Sequence, residues 1–344
     1  MSRPRLVRTG LATTLLGAAM TLGASAQGAG AANSQNSVLA QANAALQSGE
    51  ADKAVGLLTP VPASGQAEAR NVLCRVHLML QQWDAAASDC EEAVRQDGQN
   101  SNDHLWLGRA LGEKAARASF LTAFSLAKRT RAEFEQAVQL DGRNVEALSD
   151  LGDFYRQAPG VVGGGIDKAQ GVAGQLDKVD AGRAHRLRGN IAEQQKDYGT
   201  AEREYKLATT AGAHPAAEWR NLAAFYGRRK RYDEMDSAIK SALSAARRDK
   251  HAGVALYDCA GLLIENHRDP ALAASLLGEY LAGSEKSEEA PAFMAHLRLA
   301  QLKQQAGDAA GAEKERAAAL ALAHEYKPAQ ESAQQQPTNQ PARF

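Results

Sequence analysis

Histidines are the residues of this sequence with the widest range of chemistry, because an imidazole can bind a metal ion or transfer a proton near neutral pH. They are His77, His104, His185, His214, His251, His267, His296 and His324. No two lie three or four residues apart, so no pair shares one side of a helix as a metal site would require. The sequence also has no Gly-x-Ser-x-Gly elbow and no His-Glu-x-x-His motif. We therefore expect no catalytic residues, no metal and no cofactor.

The glycine-rich segment 160–165 resembles in composition the loops that bind phosphate before a helix. No Lys-Ser or Lys-Thr follows it at the required offset, and no strand precedes it. The chain continues with Ile166-Asp167-Lys168-Ala169, which reads as the start of a helix. We interpret the segment as a long loop between helices, in which glycine supplies positive φ angles.

The N-terminus has the pattern of a secretory signal peptide. Basic residues occupy its first positions, an apolar run covers residues 11–23, and small residues precede a cleavage point after Ala26. This pattern predicts a signal peptide at 1–26, a short linker at 27–35 and a periplasmic or secreted mature protein. The alternative is a cytoplasmic protein whose N-terminal helix leans on the membrane. No later apolar run approaches the roughly 20 residues of a membrane span, so we expect no stable membrane insertion.

The rest of the chain repeats one unit. Second-helix anchor positions fall at Ala86, Ala201, Met235 and Ala312, each followed by a second apolar or small residue about one helical turn or more further on. Twelve residues before each anchor is a small residue: Cys74, Gly189, Ala223 and Ala300. The anchors at 201 and 235 are 34 residues apart. Small residues at matched positions allow two antiparallel helices to pack closely.

A 34-residue unit with these small residues resembles the tetratricopeptide repeat. The resemblance implies an all-α, right-handed superhelical solenoid of about eight antiparallel helix pairs over residues 36–327. Two units are longer than the period, with insertions near 115–128 and 158–165, and such insertions often lie on a binding face. A lengthened helix and a longer loop without a role are the alternative. The tail, 328–344, is rich in Pro and Gln and is expected to be disordered.

In such a hairpin, Cys74 and Cys90 would both face the interior. Cys90 lies one helical turn past the small residue of the second helix, so the two Cα atoms could come within the roughly 7 Å that a disulfide needs. The alternatives are a disulfide, which export would permit, and two buried thiols at small-residue positions. Cys259 is left over and is expected to pack as a small buried residue.

In the tetratricopeptide family the first helices line the concave face, so their polar residues are the candidate partner-binding residues. They are Arg183, Arg186, Asn190 and Gln194 in the fifth unit, and Arg220 and Asn221 in the sixth. Arg186, Asn190 and Asn221 resemble part of the clamp with which some co-chaperones hold a peptide carboxylate. The following unit offers Val254 and Asp258 where that clamp would need positive charge. What remains is a basic groove that prefers acidic or C-terminal segments, or else ordinary solvated helix faces.

The formal net charge is zero, so no overall field favours nucleic acid or an anionic membrane. The basic run 228–231 is expected in a turn, either solvated or contacting an acidic partner. The resemblance implies a non-catalytic scaffold that binds a protein or peptide partner in its concave groove. The alternative function is a structural adaptor of an export or assembly complex of the cell envelope.

Overall fold

The computed structural model describes the backbone of residues 24–60, 66–248 and 253–334. Within these ranges every regular element is helical, and the helices form eight consecutive antiparallel pairs with one further helix after them. The all-α array and the number of units predicted from the sequence are therefore confirmed. The helices are α1 (Ala24–Ser48), α2 (Ala51–Leu58), α3 (Ala67–Met79), α4 (Trp83–Gln96), α5 (Ser101–Ala115), α6 (Phe120–Leu140), α7 (Val145–Gln157), α8 (Ile166–Leu176), α9 (Ala181–Gln194), α10 (Tyr198–Ala211), α11 (Pro215–Arg228), α12 (Tyr232–Ala246), α13 (Gly253–Glu265), α14 (Pro270–Ala282), α15 (Ala292–Gln305), α16 (Ala309–Leu322) and α17 (Lys327–Gln334), with a short 3-10 turn at Gly160–Val162.

Side-chain caps fix where many of these helices begin. An Asn or Asp immediately before the helix accepts a hydrogen bond from a backbone N–H of the first turn, which would otherwise lack a partner. The capping residues are Asn100, Asn144, Asp180, Asp197, Asp269 and Asp308. The local sequence thus sets the phase of each helix, and with it the face that turns toward the neighbouring helix.

Small residues let the two helices of a pair approach closely. The first-helix positions Cys74, Ala223 and Ala300 are fully buried, and so are the second-helix anchors. A Cβ atom on Gly108 would lie 2.5 Å from the ring of Phe134 on the partner helix, and one on Gly189 would lie 3.0 Å from the ring of Tyr205. The predicted large–small pairing is therefore present, and the larger partner fills the space above each glycine.

One residue with positive φ recurs in the tight turns inside the helix pairs. Gly49 and Gly307 hold this position in the first and last pairs. In four other pairs the position is occupied by a residue with a side chain: Gln81, Lys196, Lys230 and His267. Left-handed backbone is unfavourable for such residues, so the same turn geometry is imposed by the helices that it connects.

The array closes on itself. The last pair, α15 and α16, shares a hydrophobic core with α1, α2 and α3, and the rings of Phe293 and Tyr326 in this core are 4.8 Å apart. Polar contacts reinforce the junction, since Gln47 donates to Glu288 at 2.9 Å and His324 lies 2.8 Å from Asp52. The concave face is therefore the inside of a ring, where the sequence led us to expect an accessible curved groove.

The two ends differ from the sequence expectation. Helix α1 covers residues 27–35, where a linker was predicted, and its Ala- and Gln-rich composition favours a helix. Helix α17 covers the first part of the predicted disordered tail, because Tyr326 and Ala329 are buried and a proline is tolerated in the first turn. Most of the predicted signal peptide, residues 1–23, and residues 335–344 lie outside the described residues.

Candidate functional site

The inside of the ring contains a cavity of about 480 Å³, which we call the inner chamber. First helices α7, α9, α11 and α13 supply most of its wall, and the segment between α14 and α15 together with Gln47 completes it. Its charged and polar lining residues include Glu146, Ser149, Asp150, Asp153, Arg183, Arg186, His214, Arg220, Asp258, Glu285, Lys286, Ser287 and Glu289. The chamber is therefore a polar site formed by residues from distant parts of the chain.

The structure brings together three of the six predicted partner-binding residues. Arg183, Arg186 and Arg220 line the inner chamber. Asn190 and Gln194 border a different surface depression, beside Arg228. The Asn221 amide donates to Glu218 at 3.0 Å and borders neither cavity. The six residues therefore do not line one cavity, because Asn190 and Gln194 lie about one and two helical turns further along α9 than Arg186.

The arginines of the chamber are already paired with carboxylates. An Arg183 Nη atom lies 2.6 Å from Glu146, and one of Arg220 lies 2.9 Å from Asp258. Arg186 is more loosely paired, 3.9 Å from Glu218. The charges of Arg183 and Arg220 are thus compensated within the protein, because neighbouring first helices present acidic residues opposite the basic ones.

Carboxylates outnumber cationic groups on the chamber wall. Six Asp and Glu residues line it, against three arginines and one lysine. That lysine, Lys286, donates to the backbone carbonyls of Tyr280 and Leu281. From outside the wall, Arg109 pairs with Glu146 and Asp150, Arg156 pairs with Asp153, and Glu218 lies beside Arg186, which leaves seven carboxylates against six cationic groups. The chamber therefore favours a positively charged ligand group.

Glu289 is a carboxylate of the chamber wall that only the more distant charges of Arg109 and Arg183 favour in its ionised form. Its side chain makes no hydrogen bond or ion pair with any of the residues that the structure describes. Burial, and then the charge of Glu146, raise the pKa of Glu289. By contrast, burial alone would raise the pKa of Glu146, but its bonds to Arg183 and Arg109 outweigh burial and lower it. A cation placed between these groups would favour the ionised form of Glu289.

Sequence reasoning missed Glu288 and Glu289, because both lie between helices and only ring closure brings Glu289 to the chamber wall and Glu288 to Arg75. The sequence does contain a pattern that indicates some of the residues on the inner face of the ring. Arg75 and Arg109 are 34 residues apart, one repeat period, and both guanidinium groups lie over the ring of Trp106, at 5.1 and 4.5 Å from its centroid. A basic residue recurring at the period indicated a side chain on the inner face.

The basic run 228–231 lies in the turn between α11 and α12, as predicted. Arg228 donates two hydrogen bonds to Glu193, both at 2.8 Å, and Arg231 pairs with Glu202 and Glu234. Arg229 stacks over the ring of Tyr198 at 3.7 Å. These contacts join two neighbouring units, so most of the charge of the run is compensated within the protein.

Several histidines have structural contacts. The imidazoles of His77, His185 and His296 each lie 2.7 to 2.8 Å from a carboxylate on the second helix of the same pair. Among the described residues no group of three or more His, Cys, Asp or Glu could hold a metal ion. Over the same residues, no helix has the length and apolar character to cross a membrane.

The sulfur atoms of Cys74 and Cys90 are bonded to each other, with Cα atoms 5.3 Å apart, as the sequence led us to expect. The disulfide joins α3 to α4 at the small-residue positions of the hairpin. Together with the 34-residue spacing and the buried anchors, this close pairing decides the architecture. The array is of the tetratricopeptide type.

Comparisons with known proteins give structural neighbours only. No family model matches the chain, and no curated protein matches it. The array is similar to the tetratricopeptide protein TTC0263 of Thermus thermophilus at 15% identity and a TM-score of 0.42, over 51% of this chain and 90% of that one. It is also similar to human IFIT1, solved as a dimer with PPP-AAAA, at 16% identity and a TM-score of 0.43, over 77% of this chain and 62% of that one. A third similar structure is a tetratricopeptide repeat protein from Parabacteroides merdae ATCC 43184, at 14% identity and a TM-score of 0.38, over 77% of this chain and 96% of that one.

Proposed function

We propose that this protein is a non-catalytic interaction scaffold that binds a basic segment of a partner protein in the inner chamber. The observation that carries the proposal is Glu289, a carboxylate of the chamber wall whose side chain forms no hydrogen bond or close ion pair with the described residues. A Lys or Arg side chain of a partner supplies the missing charge and forms a charge-assisted hydrogen bond. The paired arginines then act as rigid walls, since each is held by a carboxylate of a neighbouring helix.

The same charge balance disfavours nucleic acid as the ligand. Proteins that bind nucleic acids neutralise phosphates with Lys and Arg. In the chamber the arginines are bonded to carboxylates, and acidic groups are in excess. A polyanion would have to displace these ion pairs, whereas a cationic peptide adds to them. We therefore propose a protein partner.

We also propose that the protein acts outside the cytoplasm, after cleavage behind Ala26. The basic start, the apolar run and the small residues of the N-terminus support this location, and the Cys74–Cys90 disulfide is compatible with an oxidising compartment. Expression of the full chain in a bacterial host, followed by cell fractionation and N-terminal sequencing, tests the proposal. A mature N-terminus at Gln27 in the periplasmic fraction is the expected result, and an intact N-terminus in the cytoplasm contradicts it.

The binding proposal is tested with a fluorescent extended peptide of alternating lysine and serine, the chamber probe. Anisotropy titrations should show weaker binding at higher ionic strength, because exposed charges are screened by salt. Glu289→Gln should weaken binding by about three- to tenfold, the loss expected for one charged hydrogen bond at a solvated site. The matched control is Glu265→Gln, a glutamate exposed at the end of α13 outside the chamber.

Two outcomes would contradict the binding proposal. One is equal loss of affinity in the Glu289 and Glu265 variants, which would indicate nonspecific attraction. The other is tighter binding of a probe in which glutamate replaces lysine. Circular dichroism and thermal unfolding of both variants exclude misfolding as the cause of a change.

A further inference from the structure

A second and larger cavity, of about 920 Å³, lies where the two insertions meet, and we call it the apolar cleft. Its wall carries four aromatic side chains, Trp83, Trp106, Phe134 and Phe154. Seven further wall residues are small and lie on α5, α6 and the loop after α7, namely Gly108, Gly112, Ala115, Ala116, Ala123, Ala127 and Ala158, and the charged residues Arg109, Glu113, Asp150 and Asp153 also line the cleft. A cleft of this size and lining is typical of a binding site for apolar groups.

Helix α6 forms one side of the cleft because it extends beyond its partner helix. Gly108 faces Phe134 and Gly112 faces Thr130, so the end of α5 at Ala115 lies opposite Ala127. The first two turns of α6 therefore project past α5. Phe120 and Leu121 at its start are 83% and 79% exposed. Such large apolar side chains are unusual on the surface when they are grouped.

The second insertion forms the opposite end of the cleft. Val161, in the 3-10 turn, is 73% exposed, and its neighbour Val162 accepts a hydrogen bond from Arg131 of α6 at 3.5 Å. Arg131 lies eleven residues after Phe120, which corresponds to about 16 Å along a helix. The α6 residues that line the cleft run from Ala123 to Phe134, eleven positions or about three helical turns, and Phe120 lies one turn before them.

The apolar cleft is continuous with the inner chamber. Asp150 and Asp153 of α7 line both cavities. Inside the cleft, Thr130 is 4% exposed and its hydroxyl oxygen has no hydrogen-bond partner among the described residues. A ligand in the cleft therefore meets aromatic rings and small residues and, near the junction, two carboxylates that are already paired, Asp150 with Arg109 and Asp153 with Arg156.

We propose that the apolar cleft binds an amphipathic helix of the same partner whose basic segment occupies the inner chamber. The inference rests on the proposed function and specifies the chemistry of the partner. A three-turn helix matches the length of the α6 wall between Ala123 and Phe134, and large apolar anchors at i, i+3, i+4, i+7 and i+11 can pack against the aromatic rings of the cleft. The small residues of α5 and α6 allow such a helix to approach closely. A Lys or Arg at its chamber end joins a charged group in which three carboxylates, Glu113, Asp150 and Asp153, line the cleft with a single cation, Arg109.

The test uses a synthetic helix of about 14 residues, the cleft probe, with leucine at those five positions, serine and glutamine elsewhere and one lysine at an end. Tryptophan fluorescence reports binding, because two of the three tryptophans, Trp83 and Trp106, line the cleft. Titrations are made in a Trp219→Phe background so that only these two contribute. We expect saturable binding that a peptide of the same composition with alternating leucines does not show.

Variants separate the cleft from other apolar surfaces. Ala127→Phe places a ring in the cleft and should weaken binding of the cleft probe at least about tenfold, while Phe120→Ser should weaken it about three- to tenfold. Leu207→Ser is the matched control, because Leu207 is also exposed but lies on α10 outside the cleft. It should bind within about twofold of the parent. Far-UV circular dichroism verifies that each variant is folded.

The outcomes distinguish this inference from the proposed function. Equal binding of the two peptides, or undiminished binding by Ala127→Phe, overturns the helix proposal even when the chamber probe binds as expected. If the protein binds the apolar dye anilinonaphthalene sulfonate but does not bind the cleft probe, the cleft is a small-molecule site, and this outcome also overturns the helix proposal. So does a dimer in sedimentation experiments that Phe120→Ser dissociates. Loss of chamber-probe binding alone contradicts the proposed function.

Discussion

Glu288 accepts a hydrogen bond at 2.8 Å from Arg75, a residue 213 positions earlier in the chain. The two side chains are largely buried, and Gln47 of α1 donates to the same carboxylate. This contact joins the loop before α15 to the first helices, and it lies beside the wall of the inner chamber. The relative position of the chamber residues therefore depends on closure of the ring.

We expect Glu288→Gln to lower the free energy of unfolding by about 2 to 4 kcal/mol, because it leaves the buried guanidinium of Arg75 without a charged partner. Urea titration measures this change, and small-angle scattering should show a larger radius of gyration as the junction loosens. The matched control is Glu50→Gln, which removes an exposed i, i+3 pair with Lys53 and should cost less than about 1 kcal/mol. Equal effects of the two substitutions would argue against a closing role for Glu288.

Removal of the Cys74–Cys90 disulfide should lower the free energy of unfolding by about 3 kcal/mol, because the chain-entropy model assigns this value to the restriction of the unfolded state. The bond joins residues separated by 16 positions. The measurement compares the parent and the double variant Cys74→Ala, Cys90→Ala in urea without reductant. Peptide mass spectrometry under non-reducing conditions verifies the bond. Two free thiols in the exported protein would contradict the prediction.

Much of the fold could be predicted because the repeat is local. The small residues Cys74, Gly189, Ala223 and Ala300 each act within one helix pair, where a fixed offset of twelve residues to the second helix is readable in the sequence. The disulfide follows from the same local geometry. The number of pairs followed from counting units between the first and last recognisable ones.

The site was predicted poorly because it depends on contacts between distant units. Whether Arg183 is a free cation depends on Glu146, 37 residues earlier on another helix, and no local pattern states that they meet. Glu289 reaches the chamber only because the last pair packs against the first. The two insertions were visible as departures from the period, but their meeting at one cleft depends on the packing of α6 against the loop after α7.

The free energy of unfolding should fall with rising pH because of Asp103, whereas most carboxylates of a folded protein have the opposite effect. Burial, opposed by the Asn71 hydrogen bond and aided by the charge of Asp97, raises its pKa to about 6. Because the folded-state pKa exceeds the unfolded value, the stabilising contribution is fully present below about pH 4 and is lost as pH rises through 6. Asp103→Asn, which keeps the hydrogen bond, should therefore raise the free energy of unfolding at pH 7.5 by about 1 to 3 kcal/mol.

The measurement for Asp103 is the difference between variant and parent in urea titrations from about pH 4.5 to 8. The difference should shrink toward the acidic end of this range, since Asp103 is then protonated in the folded parent and increasingly so in the unfolded chain. Taking a difference removes the contribution of carboxylates such as Glu202, whose hydrogen bond from Arg231 lowers its pKa to about 2. If Asp103→Asn raises the free energy of unfolding by the same amount at all these pH values, burial of the Asp103 charge is not the cause.

Lys196→Gly should stabilise the protein although it removes a side chain from an exposed position. Lys196 has φ of 64° in the turn between α9 and α10, the position that glycine occupies as Gly307 in the last pair. Relief of left-handed strain is worth about 1 to 2 kcal/mol, and the extra freedom of glycine in the unfolded chain subtracts about 0.4 to 1 kcal/mol. A net gain of up to about 1 kcal/mol in the free energy of unfolding is expected in urea titrations.

The reverse change, Gly307→Lys, should lower the free energy of unfolding by a similar amount, because a Cβ atom there meets no neighbour and only the backbone is strained. Stabilisation by both substitutions would show that the turns are not held in a common geometry.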